Sequence, residues 1–169
     1  MENRDWSQFV RKIYINAPIE KVYKCWATRH KLENWFLRKA EFVNGKDIPR
    51  GSKEFVQKGD KYTWEWHNWN GQEKGEILEA DGDKRIVFSF ADGQVEILLS
   101  EGKGMTLVQL TQSDIGLDDK SKMNYYVGCS NGWTFWLTNL KAYLEYNILL
   151  NDKEEDPQDP NDGFQFVNM

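Results

Sequence analysis

Residues that build covalent or metal-held scaffolds are scarce in this sequence. Only two cysteines and two histidines occur among 169 residues, and neither His30 nor His67 stands in a spacing typical of a metal site. Cys25 and Cys129 are far apart, each within a predicted helix, which favours two reduced core thiols over a disulfide. A nucleophile elbow and a phosphate-binding glycine loop are also missing. We therefore expect no metal, no cofactor and no catalytic residues.

Long apolar runs and basic clusters are missing as well. The sequence contains no run of 18 apolar residues that would span a membrane, and its first residues lack the apolar core of a signal peptide. The net charge is −5, whereas binding to nucleic acids or anionic membranes is driven by positive charge that neutralises phosphates. These features argue against nucleic-acid and membrane partners and indicate a cytoplasmic protein.

Aromatic residues, by contrast, are abundant. Eight tryptophans, nine phenylalanines and seven tyrosines occur, although the hydrophobic fraction of 40% is ordinary. A chain of 169 residues suits one domain that can bury a sizeable core. So much aromatic surface either fills a large core or lines a pocket, and composition alone leaves both alternatives open.

The stretch from about Met123 to Leu150 has the pattern of a long amphipathic helix. It contains no proline, and at the helical period its apolar residues gather on one side. This apolar arc consists of Cys129, Trp133, Trp136, Leu137, Leu140, Tyr143 and Leu144. Because side chains of this volume need a wide concave partner, we predict that a curved sheet grips a helix over residues 123–148. Gly132 is interpreted as permitting close approach of the helix to a strand.

The residues before this helix are mostly strand-like. Phe9 to Ile15 alternates with a period of two, Pro18 begins a short helix, and a second helical turn follows near Trp35. A series of short strands comes next, separated by glycine-containing turns. The predicted strands cover residues 40–43, 52–57, 62–69, 75–79, 85–90, 95–99 and 105–112. Connections this short require neighbouring strands to run antiparallel.

After Leu150 the sequence becomes acidic and is interrupted by prolines. We therefore divide the chain into one domain at residues 1–150 and an acidic C-terminal tail at residues 151–169. A tail of this composition cannot bury enough surface to order itself, so folding is not expected to require it. Its last apolar residues, Phe164, Phe166 and Val167, could nevertheless dock onto the domain.

The order of elements and a set of short motifs resemble the START-like superfamily, which is also called SRPBCC or birch-pollen-allergen-like. Within it, the chain is similar to the activator of heat-shock protein 90 ATPase homologue-like family over roughly residues 8 to 150. The motifs are residues 15–22 with Trp26, Leu32, Trp35 and Phe36, then residues 75–79 and 84–90, and finally Gly132, Trp133, Leu137, residues 139–141, Leu144 and Glu145. The resemblance implies an α+β helix-grip fold, in which a curved antiparallel sheet and the long helix enclose a mostly apolar cavity.

The most aromatic predicted strand supplies the candidate ligand-binding residues. Alternation places Tyr62, Trp64, Trp66 and Asn68 on one face. Under the resemblance, Trp64 and Trp66 would line the cavity with Trp133 and Trp136, and Tyr62 and Asn68 would orient a guest by hydrogen bonds. The alternative is that these rings simply fill the core, since packed interiors leave few voids. Glu65 points to the other face, where an exposed cross-strand charge is favoured over a carboxylate with a raised pKa.

Three functions remain open, because one fold hosts many functions. The leading hypothesis is a non-enzymatic cytoplasmic domain that binds a small hydrophobic molecule between the sheet and the long helix. The alternative, implied by the resemblance, is a co-chaperone-like protein that stimulates a heat-shock protein 90 ATPase. A third possibility, also implied by the superfamily, is an enzyme of the cyclase or hydrolase kind. We expect a monomer or a weak dimer.

Overall fold

The computed structural model describes residues 4–67 and 69–153 and has the α+β helix-grip architecture that the sequence predicts. The elements of the described chain are β1 (Phe9–Ile15), α1 (Ile19–Ala27), α2 (Arg29–Trp35), β2 (Lys39–Val43), β3 (Lys61–Glu65), β4 (Glu73–Ala80), β5 (Arg85–Phe90), β6 (Gly93–Gly102), β7 (Met105–Ser113), α3 (Asp119–Ser121), a π-helical segment (Lys122–Gly128) and α4 (Cys129–Tyr146). The strands form one curved antiparallel sheet in the order β1-β7-β6-β5-β4-β3-β2. The predicted pair of short helices between the first two strands is confirmed.

Strands β6 and β7 form a hairpin, which is defined by alternating buried side chains and by a tight turn. In β7 every second residue is buried, including Val108 and Leu110, while the residues between them are partly exposed. Strands β6 and β7 pair from Gln94 opposite Ser113 to Gly102 opposite Met105. The two-residue turn between them has positive φ at Lys103 and at Gly104, the geometry that matches the twist of a hairpin. The inner face of this hairpin is thereby largely apolar, with Thr106 and Gln112 as buried polar residues on β7.

Two of the strand predictions are wrong, because described residues within them do not pair with a neighbouring strand. Residues 52–57 form a loop, which is held by the buried Asp60 through two hydrogen bonds from the Arg50 guanidinium at 2.7 and 2.8 Å. The strand predicted at residues 62–69 is β3 and ends at Glu65. Beyond this point β3 has no pairing partners on either side among the described residues. Glu65 pairs with the first residue of β2, and Trp64 pairs with Glu73, the first residue of β4. Residues beyond Glu65 therefore leave the sheet.

The long helix differs from the prediction at both ends. It starts four residues earlier than residue 123, at Asp119, and the Lys122–Gly128 segment is π-helical. It ends at Tyr146 rather than near residues 148–150, because Asn147 adopts the left-handed conformation and its N–H donates to the Tyr143 carbonyl at 3.0 Å. The predicted burial is confirmed, with Trp133 3%, Trp136 8% and Leu140 0% exposed.

Side chains on the sheet hold the long helix in place. Trp133 packs against Phe88 and Phe90 of β5, with ring centroids 6.4 and 5.1 Å apart. On the outer side, Arg11 of β1 donates to Thr134 at 3.1 Å, and Lys141 donates to the Tyr14 carbonyl at 2.7 Å. Among residues 4–67 and 69–153, no helix combines the length and apolar character needed to cross a bilayer.

Candidate functional site

A small apolar recess opens between α4 and the ends of α2, β3 and β5. Its volume is about 170 Å³, and it is partly open to solvent. The described residues that line it are Phe36, Trp66, Phe90, Cys129, Gly132, Trp133 and Trp136. Four of them lie on the first two turns of α4, and the other three stand where an element ends or has just ended. We call this feature the apolar recess.

The structure brings three of the six predicted site residues together at the recess. Trp66, Trp133 and Trp136 line it, whereas Tyr62 and Trp64 lie in the packed core. The rings of Tyr62 and Trp64 stack with centroids 4.2 Å apart, both residues are 2% exposed, and the Tyr62 hydroxyl donates to the Ser89 carbonyl. Asn68 lies outside the described residues. The predicted strand face is therefore divided, with Tyr62 and Trp64 in the core and Trp66 at the recess.

Gly132 has a different role from the close approach to a strand that its place in the helix pattern predicts. A β-carbon built at Gly132 would meet no other atom of the described residues within 4 Å. The glycine therefore borders open space, and its missing side chain helps to keep the recess empty. A helix-interior glycine costs about 1 kcal/mol relative to alanine, and this cost is the signal in the sequence that pointed to a special role.

Phe36, Phe90 and Cys129 line the recess without having been predicted to do so. The Phe36 ring stands 5.5 Å from that of Trp66 and 5.0 Å from that of Trp136, both edge to face. Phe90 covers Trp133 from the side of the sheet. Such aromatic pairs contribute about 0.5–1.5 kcal/mol beyond the area they bury, which stabilises this arrangement of the walls in the absence of a guest. Both phenylalanines belong to the motifs that carry the family resemblance, but nothing in the sequence places Phe36 or Phe90 at a binding site.

One buried amide lies behind the recess. Trp133 Nε1 donates to Gln112 Oε1 at 2.9 Å, and Gln112 on β7 is fully buried. Within the described residues the amide nitrogen of Gln112 has no conventional hydrogen-bond partner and interacts only weakly with the Cys129 sulfur. Burial raises the pKa of the Cys129 thiol to about 11. The thiol is therefore protonated at neutral pH and is a poor nucleophile.

An acidic cluster, which we call the acidic rim, lies beside Cys129 and Phe90. Glu73 is half-buried, and its carboxylate accepts a hydrogen bond from the Ala91 N–H at 2.9 Å. Burial raises the pKa of Glu73, and the charge of Asp92 adds to this shift. The charge of Asp92, followed by a hydrogen bond to it, raises the pKa of Tyr125. The acidic rim consists of Glu73, Asp92 and Tyr125.

Glu73→Gln should change how stability depends on pH. The folded-state pKa of Glu73 lies above its ordinary value of 4.5, so the folded state holds the proton more strongly than the unfolded chain does. Its stabilising contribution is complete below pH 4.5 and is lost as the pH rises through the folded-state pKa. Urea unfolding from pH 4 to 8 should therefore show the variant gaining stability relative to the unmodified chain as pH rises. A difference that stays constant, or that matches the exposed Glu76→Gln control, would contradict this expectation.

Glu65 and His67 lie next to Trp66 but outside the lining of the recess. Hydrogen bonds, first from Gln72 and then from Arg38, lower the pKa of Glu65, so the alternative of a raised pKa is wrong. Glu65 is not the exposed cross-strand charge that the sequence predicts either, because its side chain is only 16% exposed and pairs with Arg38. Burial lowers the pKa of His67, and the positive charges of Lys153 and Arg38 lower it further. In the part of the chain that the structure describes, no three histidine, cysteine or acidic side chains gather as metal ligands. Both cysteines are free thiols.

Several solved structures of low sequence identity share the fold. The protein SSP2350 from Staphylococcus saprophyticus has a TM-score of 0.66 and 20% identity, over 84% of this chain and 94% of its own. The Aha1 dimer from Colwellia psychrerythraea has a TM-score of 0.63 and 19% identity, over 82% of this chain and 96% of its own. DynU16, a protein of the dynemicin biosynthetic locus, has a TM-score of 0.66 and 16% identity, over 83% of this chain and 48% of its own. No curated protein matches the sequence significantly.

One family covers most of the chain. The activator of Hsp90 ATPase homolog 1-like family matches residues 16–145, from the turn before α1 to the last turn of α4. This range includes every described residue that lines the recess. It also agrees with the resemblance carried by the short motifs, and the shared architecture of the solved structures is consistent with it. The chain belongs to the activator of Hsp90 ATPase homolog 1-like family, within the START-like helix-grip superfamily.

Proposed function

We propose that this protein is a cytoplasmic, non-enzymatic domain that binds a small hydrophobic molecule in the apolar recess. The observation that carries the proposal is the combination of mutually packed aromatic walls with Gly132, whose missing side chain leaves space between them. Ligand sites are typically concave, apolar and formed before the ligand arrives. The family membership supports a binding role for the enclosed space between sheet and helix.

The volume of the recess limits the size of the ligand. A dry cavity of about 150 Å³ admits benzene, whereas sites for drug-sized ligands occupy about 300–1,000 Å³. At about 170 Å³, the recess suits a single aromatic ring or a short aliphatic group. So few buried atoms limit the affinity, and we expect a dissociation constant on the order of micromolar to millimolar.

Binding is favoured over catalysis by the chemistry of the lining. Among the described residues that line the recess, the Cys129 thiol is the only reactive group, and burial keeps it protonated at neutral pH. The acidic rim lies beside the recess and offers polar contacts at its edge. DynU16, which shares the fold, is a protein of a biosynthetic locus. A cyclase-like activity is therefore kept as the alternative function, and identification of the bound molecule would reveal it.

A co-chaperone-like interaction with a heat-shock protein 90 ATPase is the second candidate. The family description favours it, and so does an exposed apolar segment just after α4. Tyr146 is 69% exposed and Ile148 53% exposed, and Leu149 and Leu150 extend the same segment. Stimulation of the ATPase by the full chain, lost in a Tyr146→Ser/Ile148→Ser variant, would establish this function in place of ligand binding.

A titration with fluorobenzene followed by 19F NMR tests the proposed function. We expect saturable binding with one-to-one stoichiometry, together with quenching of tryptophan emission, because three indole rings line the recess. Native mass spectrometry of freshly purified protein should in addition detect a small co-purifying molecule. The absence of saturable binding to the native protein would overturn the proposal.

A further inference from the structure

The chain folds back on itself after α4. Asn147 adopts a left-handed conformation with φ 55°, which ends the helix and reverses the direction of the chain. The Leu150 N–H then donates to the Asn139 side-chain oxygen at 2.7 Å. Because Asn139 lies two turns before the end of the helix, residues 147–150 run back along α4.

Asn139 acts as a buried clamp for this returning segment. Its side chain is fully buried, and Nδ2 donates to the Trp35 carbonyl at 2.6 Å and to the Asn151 side-chain oxygen at 3.3 Å. One amide therefore joins the end of α2, the middle of α4 and the returning chain. Asn139 stands one turn after Trp136, so the returning chain is directed towards the recess.

The described chain ends at Lys153, within electrostatic range of His67. The positive charge of Lys153 acts on His67, which directly follows the lining residue Trp66. The next ten residues, 154–163, include five acidic side chains and two prolines. Fully extended, ten residues span roughly 33 Å, which is ample for the chain to turn back to an opening beside its starting point.

The residues after this linker match the recess in chemistry and in size. Phe164 and Phe166 are separated by one residue, so an extended segment presents both rings on one face. The recess has the volume for one aromatic ring, and aromatic walls to receive it. We propose that the segment Phe164–Val167 of the same chain places one of its two phenylalanine rings in the apolar recess and competes with external ligands. This inference rests on the proposed function, because it requires that the recess admit an apolar group.

Weak docking is sufficient for such competition. A tether of about this length gives the attached segment an effective concentration on the order of 1 mM. An intrinsic dissociation constant of about 1 mM would then leave the recess roughly half-occupied by its own chain. Stronger docking lowers the population of open recess further, and the apparent affinity for an external ligand falls by the same factor. We therefore expect the tail to weaken ligand binding by about two- to tenfold.

The first test measures fluorobenzene binding by 19F NMR to three full-length proteins. Phe164→Ala/Phe166→Ala should bind about two- to tenfold more tightly than the unmodified chain, because the competing rings are removed. Gln165→Ala/Asn168→Ala, which alters the same segment but keeps its rings, should bind like the unmodified chain. Equal affinity in all three proteins would overturn the inference and leave the proposed function standing. An affinity of the unmodified chain that depends on protein concentration would identify a second copy as the occupant and would also overturn it.

The second test supplies the segment as a separate peptide. A synthetic peptide of residues 158–169 is added to full-length Phe164→Ala/Phe166→Ala, and the indole N–H signals are followed by NMR. The signals of Trp66, Trp133 and Trp136 should shift, with a dissociation constant on the order of 1 mM. Shifts confined to other tryptophans, or no shifts, would overturn the inference. If the expected shifts occur but fluorobenzene never binds, the proposed function fails while the docking of the segment stands.

Discussion

Gly132→Leu should abolish the binding of fluorobenzene, with a loss of affinity of at least about tenfold. Gly132 lies on α4 with open space where a side chain would project, so leucine would occupy the volume that a guest needs. The substitution should not strain the backbone, because the residue is helical and leucine is a better helix former than glycine by about 0.8 kcal/mol. The melting temperature should therefore stay the same or rise. The 19F titration and a thermal melt measure the two effects.

Asn131→Leu is the matched control for this substitution. Asn131 precedes Gly132 on the same helix but is exposed, so the same side chain is added on the solvent side. The control should bind fluorobenzene with unchanged affinity. Unchanged binding in Gly132→Leu would show that the guest sits elsewhere. A loss of stability in Gly132→Leu, typically about 1–3 kcal/mol for overpacking, would mean that the space beside Gly132 is filled rather than open.

Trp133→Ala should lower the free energy of unfolding by about 3–5 kcal/mol, which is the usual cost of removing a buried aromatic ring. Trp133 is 3% exposed, and its ring contacts those of Trp26, Phe36 and Phe90. The substitution also removes the donor to Gln112 Oε1, so that the buried amide loses its conventional partner at that oxygen. Urea unfolding monitored by circular dichroism measures the loss.

Two further substitutions separate the contribution of the packed Trp133 ring from that of its hydrogen bond to Gln112. Trp133→Phe keeps an aromatic ring but removes the hydrogen bond to Gln112, and should cost less than Trp133→Ala. Trp69→Ala removes a tryptophan that is 41% exposed, and should cost less than about 1 kcal/mol. A loss below about 1 kcal/mol in Trp133→Ala would show that this ring faces open space instead of holding the helix against the sheet.

The overall fold could be predicted because its elements carry strong periodic patterns. In β7 the alternation of buried and partly exposed residues follows the alternation in the sequence. On α4 the bulky residues at helical spacing are the ones that are buried, including Trp136 and Leu140. Where a pattern extends over many residues, side-chain burial decides the structure, and burial is what the sequence records.

The recess could be predicted only in part, because it forms where elements end. Periodicity places Trp66 on the same face as Tyr62 and Trp64, but the ladder stops at Glu65 once both neighbouring strands have ended. Trp66 is thereby turned into the recess while the other two rings remain in the core. The position at which a strand loses its partners depends on the register of other strands, and a single strand's sequence does not contain that information.

The π-helical segment Lys122–Gly128 bears on how relatives of this chain should be aligned. Its hydrogen bonds span one residue more than those of an α-helix, so the segment behaves as an insertion within a continuous helix. The side chains of α3, which precede the segment, are therefore rotated about the helix axis relative to those of α4. A relative with an uninterrupted α-helix would therefore match both halves only if a one-residue gap is placed within these seven positions. A gap-free alignment would assign the counterpart of Cys129 to the wrong side of the helix, and would misplace the lining of the recess with it.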